Sequence, residues 1–105
     1  MLRIYSVVLE LVREVSPLIA LIEWRDPDLA RQCRRALTSV PLNIAEGSHS
    51  RGKSRPARYQ TALGSAREVL AALEVSVVMG YLPPLSSTLM GRFQHVLGTL
   101  VIVSR

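Results

Sequence analysis

Four segments of the chain repeat apolar residues at alternating intervals of four and three, and this spacing constrains the fold more than any other feature. It places the apolar side chains on one face of an α-helix that packs lengthwise against its neighbours. Only short polar or proline-containing links separate the segments within the 105 residues. The pattern predicts one all-α domain over residues 1–105, an antiparallel up-down-up-down four-helix bundle. The predicted helices span approximately residues 2–24, 27–46, 55–79 and 86–104.

The apolar faces of these helices define the predicted core. In chain order its members are Ile4, Val8, Leu11, Val15, Leu18 and Ile22; Leu29, Cys33, Ala36, Leu37, Val40 and Ile44; Tyr59, Leu63, Ala66, Leu70, Leu73 and Val77; and Leu89, Phe93, Val96, Leu100 and Val103. Second apolar stripes run beside the first and third faces, formed by Tyr5, Leu9, Val12 and Ile19 and by Val69, Ala72 and Met79. Since exposed stripes would exceed the patches that monomers tolerate, we expect a homo-oligomer, most simply a closed ring.

Prolines and polar residues mark several helix ends and interruptions. Asp26 and Pro27 are predicted as N-cap and first residue of helix 2, because the carboxylate accepts free N–H groups and proline needs no donor there. Helix 4 is predicted to begin near residues 85–87. Pro17 and Pro41 fall inside predicted helices, where a proline removes one hydrogen bond at a cost of ~3 kcal/mol. We therefore expect a bend at Pro41 and a kink or a local break near Pro17.

Glycines supply further expectations. Gly47 and Gly80 are predicted to end helices 2 and 3 in the left-handed conformation. Residues 48–56, SHSRGKSRP, are predicted as an exposed loop, with Ser54 or a near neighbour capping helix 3. Gly64 and Ser65 place two small residues in the middle of helix 3, so we expect a neighbouring helix to approach closely there.

Charge is concentrated in the middle of the chain. Residues 31–67 carry eight basic residues and only Glu46 as an acid, a net charge of +7, whereas the remainder carries −2. This asymmetry, with a pI near 10.4, is typical of a surface that binds a polyanion. The alternative from composition alone is a solvated face whose arginines bond helix ends, and one of Arg34 and Arg35 is a candidate partner for Glu46 or Glu68.

No set of residues amounts to a reaction centre, a metal site or a cofactor site. No histidine or carboxylate follows His49 or His95 at i+3 or i+4, and a metal site needs at least three convergent donors. Cys33 is predicted to be a small buried apolar residue. Residues 47–54, GSHSRGKS, satisfy the letters of a phosphate-binding loop, but a helix rather than a strand is predicted to precede them. We expect no enzymatic activity and no cofactor.

The sequence also predicts a cytoplasmic protein. The longest charge-free run, residues 75–91, contains Gly80 and two prolines, so no membrane-spanning helix is predicted. At the N-terminus, Glu10 interrupts the apolar run before a secretory signal develops.

Two segments, RRALTSVPLNIAEG at residues 34–47 and ALGSARE at residues 62–68, are joined by a basic linker. Together they resemble the bacterial four-helix-bundle family encoded in 23S ribosomal RNA intervening sequences, over residues 29–82 in motifs and over the whole chain in length and helix count. This family is related to the accessory protein of diversity-generating retroelements, a basic homopentamer that binds nucleic acid and a reverse transcriptase. The resemblance implies a nucleic-acid partner and a pentamer, and by analogy a protein partner such as a reverse transcriptase.

Charge and resemblance together favour a non-enzymatic oligomeric bundle that binds RNA or DNA through phosphate contacts. The candidate residues are Arg31, Arg34, Arg35, Arg51, Lys53, Arg55 and Arg58. Aromatic residues are few, so base stacking has little support and weak sequence selectivity is expected. The alternative is a protein-interaction or scaffold bundle without a nucleic-acid role, in which the wide apolar arcs bind a partner.

Overall fold

The computed structural model describes residues 2–105, which form four α-helices: α1 (Ile4–Arg25), α2 (Pro27–His49), α3 (Ser54–Val78) and α4 (Ser87–Val103). Each helix packs against its neighbours in the chain, and α1 also packs against α4, which closes the bundle. The pair formed by α2 and α3 is the most extensive. The predicted all-α four-helix bundle is confirmed.

Side-chain contacts show that α2 and α3 run in opposite directions. Ser65 Oγ donates to Ser39 Oγ over 2.8 Å, whereas Arg58, earlier in α3, donates to Asn43, later in α2, over 3.4 Å. The contact order along one helix is therefore reversed along the other. A four-residue loop, residues 50–53, connects the two helices.

The remaining helix ends can be placed by the same kind of contact. Gln60 near the start of α3 donates to the carbonyl of Ser104 just after α4, over 3.1 Å. Arg92 forms an ion pair with Glu14 of α1, in which both side chains are partly buried. Leu2 and Thr99 line one depression between α1 and α4. The start of α1, the end of α2, the start of α3 and the end of α4 thus share one end of the bundle, which we name the loop end.

The core is wider than the predicted stripes. Most predicted core residues are buried, but five are only half-buried: Leu18, Leu29, Leu70, Val77 and Val103. Three residues predicted in the second stripes, Ile19, Val69 and Ala72, are instead fully or almost fully buried in the core. Because each helix faces two neighbours, its buried arc spans positions on both sides of a single four-three stripe. These three residues are therefore not available to a subunit interface, which corrects the sequence-based prediction.

Neither internal proline breaks its helix. Both α1 and α2 are continuous through Pro17 and Pro41. A proline removes only one hydrogen bond from the helix, and packing of the amphipathic face stabilises the turns on either side. The expected local break is therefore wrong.

Gly47 does not end α2. It is a buried helical residue, and α2 continues to His49 before Ser50 adopts an extended conformation. A Cβ atom built on Gly47 would lie 2.8 Å from Cδ1 of Tyr59 and closer still to Cε1. Gly47 is thus needed for the close approach of α3, while Gly52, with φ +59°, supplies the left-handed turn in the loop. The predicted loop over residues 48–56 is shortened at both sides.

Gly64 behaves in the opposite way. It lies exposed in α3, and a Cβ built there would meet no atom of the described chain within 4 Å. In the predicted pair it is therefore Ser65 that meets α2, by donating to Ser39, whereas the close approach that requires a glycine is at Gly47. The sequence could not distinguish the two glycines, because only the packed structure shows which one faces a ring.

The other helix ends mostly follow the predictions. The Asp26 carboxylate accepts from the backbone N–H of Leu29 over 3.0 Å, and Ser86 caps α4 in the same manner. At the end of α3, Gly80 has φ +80° and the N–H of Tyr81 donates to the carbonyl of Ser76, which is a Schellman motif. Ser54 is not a cap, because it is already the first residue of α3. The N-cap residue is Lys53, whose side chain makes no capping hydrogen bond in the described chain.

Candidate nucleic-acid interface

The structure separates the seven predicted contact residues into two groups. Arg31, Arg34 and Arg35 lie on the first turns of α2, while the other four lie in or beside the α2–α3 loop. Sixteen residues separate Arg35 from Arg51, and a rise of 1.5 Å per residue along most of that length gives a separation of about 24 Å. One small ligand cannot contact both groups, although a long polymer can.

In the first group, two arginines are already paired with acids. Arg31 forms an ion pair with Asp28 over 2.9 Å, and Arg34 forms one with Glu23 of α1 over 3.1 Å. The prediction that Arg34 or Arg35 pairs with Glu46 or Glu68 is wrong. Glu23 comes within reach of Arg34 instead, because α1 and α2 pack antiparallel. Arg35 lines a shallow depression between α2 and α3 together with Glu68.

The loop group contains two structural and two free cations. Arg55 Nε donates to the carbonyls of Gly47 and Ser50, over 3.2 and 3.1 Å, and so satisfies acceptors at the end of α2. Arg58 donates to the Asn43 side chain. The side chains of Arg51 and Lys53 are exposed and make no hydrogen bond or ion pair within the described part of the chain.

The bundle topology brings further basic residues to this group. Arg3 precedes α1 and Arg105 follows α4, so both lie at the loop end. We define the basic end as Arg3, Arg51, Lys53, Arg55, Arg58 and Arg105. Sequence analysis missed the two terminal arginines because they are 47 or more residues from the loop in the chain, although the predicted up-down topology would have placed them there.

The net charge of the protein resides almost entirely in the half of the bundle that contains the basic end. Residues 2–13, 39–66 and 96–105 contain seven basic and two acidic residues. The opposite half is balanced, with five basic and five acidic residues when the Glu14–Arg92 pair at the middle is set aside. The formal charge of +5 is therefore concentrated at one end of a molecule 43 Å long.

Other candidate chemistry in the sequence has structural explanations. Gly47, the first residue of the phosphate-loop pattern, lies inside α2, so the preceding element is a helix and the backbone cradle of such a loop is not formed. Burial raises the pKa of Cys33 to about 11, with nearby Glu68 adding to the rise and Arg34 opposing it. Within residues 2–105 no group of three His, Cys, Asp or Glu side chains is close enough to hold a metal ion.

Comparison with families of known proteins identifies the family of this chain. The family model described as 23S rRNA-intervening sequence protein matches residues 1–100. The chain belongs to this family. Comparison of this 23S rRNA-intervening sequence family member with curated proteins and with solved structures gave no match. Among the described helices, none has the length and apolar character required to cross a membrane.

Proposed function

We propose that this member of the family is a non-enzymatic protein that binds nucleic acid through phosphate contacts at its basic end. The observation that carries the proposal is the segregation of charge: seven basic residues against two acids in one half of the bundle and balance in the other. A concentrated positive surface attracts a polyanion and releases its condensed counterions on contact.

Within the basic end, the free side chains of Arg51 and Lys53 are the principal phosphate ligands. Arg55 and Arg58 retain N–H groups besides those that bond to α2, so each can also donate to a phosphate. Arg31 and Arg34 contribute less, because their neighbours Asp28 and Glu23 offset the attraction for phosphate. Contacts of this kind position a nucleic acid without reading its sequence.

The test is a titration of labelled RNA and DNA at two salt concentrations. About four phosphate contacts would give a log–log slope between −3 and −4, which corresponds to a loss of about a hundredfold in affinity between ~50 and ~200 mM salt. The double variant Arg51→Ser, Lys53→Ser should flatten the slope by nearly two. Arg25→Ser, Arg67→Ser removes the same charge elsewhere and is the matched control. Absence of binding at low salt would contradict the proposal.

We also propose that the protein is a homo-oligomer. Among residues 2–105, eight large apolar side chains are exposed: Leu9, Leu21, Trp24, Leu42, Val75, Val78, Met79 and Ile102. Contacts between copies would bury part of this surface and multiply weak phosphate contacts through effective concentration. A pentameric ring, a reverse transcriptase as partner and a cytoplasmic location rest on resemblance and sequence pattern, and we propose them on that basis.

A second candidate is a protein-interaction bundle without a nucleic-acid role. Trp24 and Val78, each 87% exposed, favour it because tryptophan anchors many protein interfaces. The salt titration separates the two functions, since this alternative predicts no binding to RNA or DNA at any salt concentration.

A further inference from the structure

From the structure we infer that the outward face of α3 binds a second copy of the same chain, with the two α3 helices antiparallel about a two-fold axis at Ala71. The inference deepens the proposed homo-oligomer by specifying one of its contact surfaces, and it does not depend on nucleic-acid binding. It rests on three features: the exposed apolar residues of this face, the charges on its edge, and the position of the basic end.

The outward face of α3 is apolar although it faces solvent. Three exposed residues define its midline at intervals of seven, which is nearly two helical turns: Gly64, Ala71 and Val78. Val78 is 87% exposed, and Val75 beside the midline is 50% exposed. Since α2 and α4 pack against the other sides of α3, no element of the described chain covers this face.

Gly64 has no explanation within a single copy. Its φ is not left-handed, a Cβ built there would meet no atom of the described chain within 4 Å, and glycine is unfavourable in the interior of a helix. In an antiparallel pair centred on Ala71, Gly64 lies seven residues before the centre and Val78 lies seven residues after it. Val78 of each copy is therefore level with Gly64 of the other, where the missing side chain leaves room for it.

The charges on one edge of this face complement each other in the same arrangement. Arg67 and Glu74 flank the midline on that edge; both are exposed, and neither forms an ion pair within residues 2–105. A two-fold axis between antiparallel helices brings each edge against the same edge of the partner. Arg67 lies about 6 Å before Ala71 along the helix and Glu74 about 4.5 Å after it, so each Arg67 is opposite a Glu74. On the other edge, Glu68 is opposite Val75.

The position of the basic end favours antiparallel over parallel helices. α3 begins at the loop end, so a parallel pair would place two basic ends side by side, where they repel each other. In the antiparallel pair, Arg55 lies 16 residues before the centre, and the two basic ends are about 48 Å apart along the helices. This separation is several Debye lengths in physiological salt. Such an isologous contact joins two copies only and is separate from the head-to-tail contact of a ring.

Cysteine cross-linking tests the arrangement. Ala71→Cys places two thiols at the axis, within reach of a disulfide, whereas Gly64→Cys places them about 21 Å apart along the helices. We expect mild oxidation at micromolar protein to convert most of the Ala71→Cys protein to a covalent dimer and little of the matched control Gly64→Cys. The native Cys33 is buried. Cross-linking of both variants would indicate parallel helices, and cross-linking of neither would show that the faces do not meet; either result would overturn the inference.

A charge exchange tests the stated cause. Arg67→Glu places a glutamate opposite Glu74 of the other copy at two symmetric positions, so we expect the dissociation constant of the dimer to rise about tenfold at low salt. The double variant Arg67→Glu, Glu74→Arg should restore association to within about threefold. Sedimentation equilibrium makes the comparison, and circular dichroism confirms that both variants fold. A double variant that associates as weakly as the single variant would overturn the inference.

The outcomes for the unsubstituted protein separate this inference from the proposals on which it builds. A monomer at micromolar concentration would overturn both the α3 contact and the proposed homo-oligomer. An oligomer in which Ala71→Cys does not cross-link would overturn the α3 contact alone. Nucleic-acid binding is measured by the salt titration, whose result does not depend on either outcome.

Discussion

At the residue scale, Gly47 is the one glycine of the described chain at which an added Cβ would meet another atom within 4 Å, in the ring of Tyr59. A methyl group on Gly47 would overlap the ring, so we expect Gly47→Ala to destabilise the protein by about 1–3 kcal/mol, as overpacked cores usually do. Gly64→Ala is the matched control, because its Cβ meets open space and alanine favours a helix by up to ~1 kcal/mol. Urea unfolding should shift the two midpoints in opposite directions; a common direction would contradict the packing explanation.

Cys33 provides a second prediction at the same scale. Its folded pKa of about 11 exceeds the reference value of 9.0, chiefly because burial disfavours the thiolate. The nucleophilic thiolate is therefore scarce at pH 8, and reaction with a disulfide reagent should be slow in the folded protein. Unfolding in urea should raise the rate sharply, since it exposes the thiol and lowers its pKa. Rapid reaction of the folded protein at pH 8 would show that Cys33 is accessible.

At the element scale, the cations at the junction between α2 and α3 differ in what they contribute to stability. Arg55 bonds two carbonyls at the end of α2, whereas Arg51 and Lys53 are exposed. We expect Arg55→Ser to lower the free energy of unfolding by about 1 kcal/mol, and Arg51→Ser or Lys53→Ser to change it by less than ~0.5 kcal/mol. Thermal melts of the three single variants make the comparison. Equal melting temperatures would mean that the Arg55 bonds contribute nothing.

The elements themselves were largely predictable from local sequence. The Asp26 cap and the left-handed Gly80 are each determined by residues that are close to them in the chain. Their physical causes can therefore be recognised in the local sequence. Gly47, Gly64 and the partner of Arg34 were predicted wrongly, because each depends on which residue of another helix comes close. The basic loop was evident from charge runs, whereas Arg3 and Arg105 joined it only through the folded topology.

At the scale of the whole molecule, oligomerisation is the main open prediction. Burial of Ile19, Val69 and Ala72 in the core reduces the second stripes, but Leu9 and Met79 remain exposed. We expect light scattering coupled to size exclusion, at micromolar protein, to give a mass several times the 11.6 kDa of the chain. A charged substitution such as Leu9→Glu, which lies outside the core, should lower that mass if its stripe forms the contact. A single monomeric peak for the unsubstituted protein would refute the oligomer.

The length of the bundle has a consequence for how its two ends relate. The long axis measures 43 Å, while electrostatic potentials in physiological salt decay over a Debye length of about 8 Å. The far end, with Trp24 and Val78, is therefore shielded from the field of the cations by several screening lengths. A partner that docks on that end experiences a nearly neutral surface whether or not a polyanion occupies the other. We therefore expect a substitution that changes the charge of one end to leave the electrostatic environment of the other end nearly unchanged.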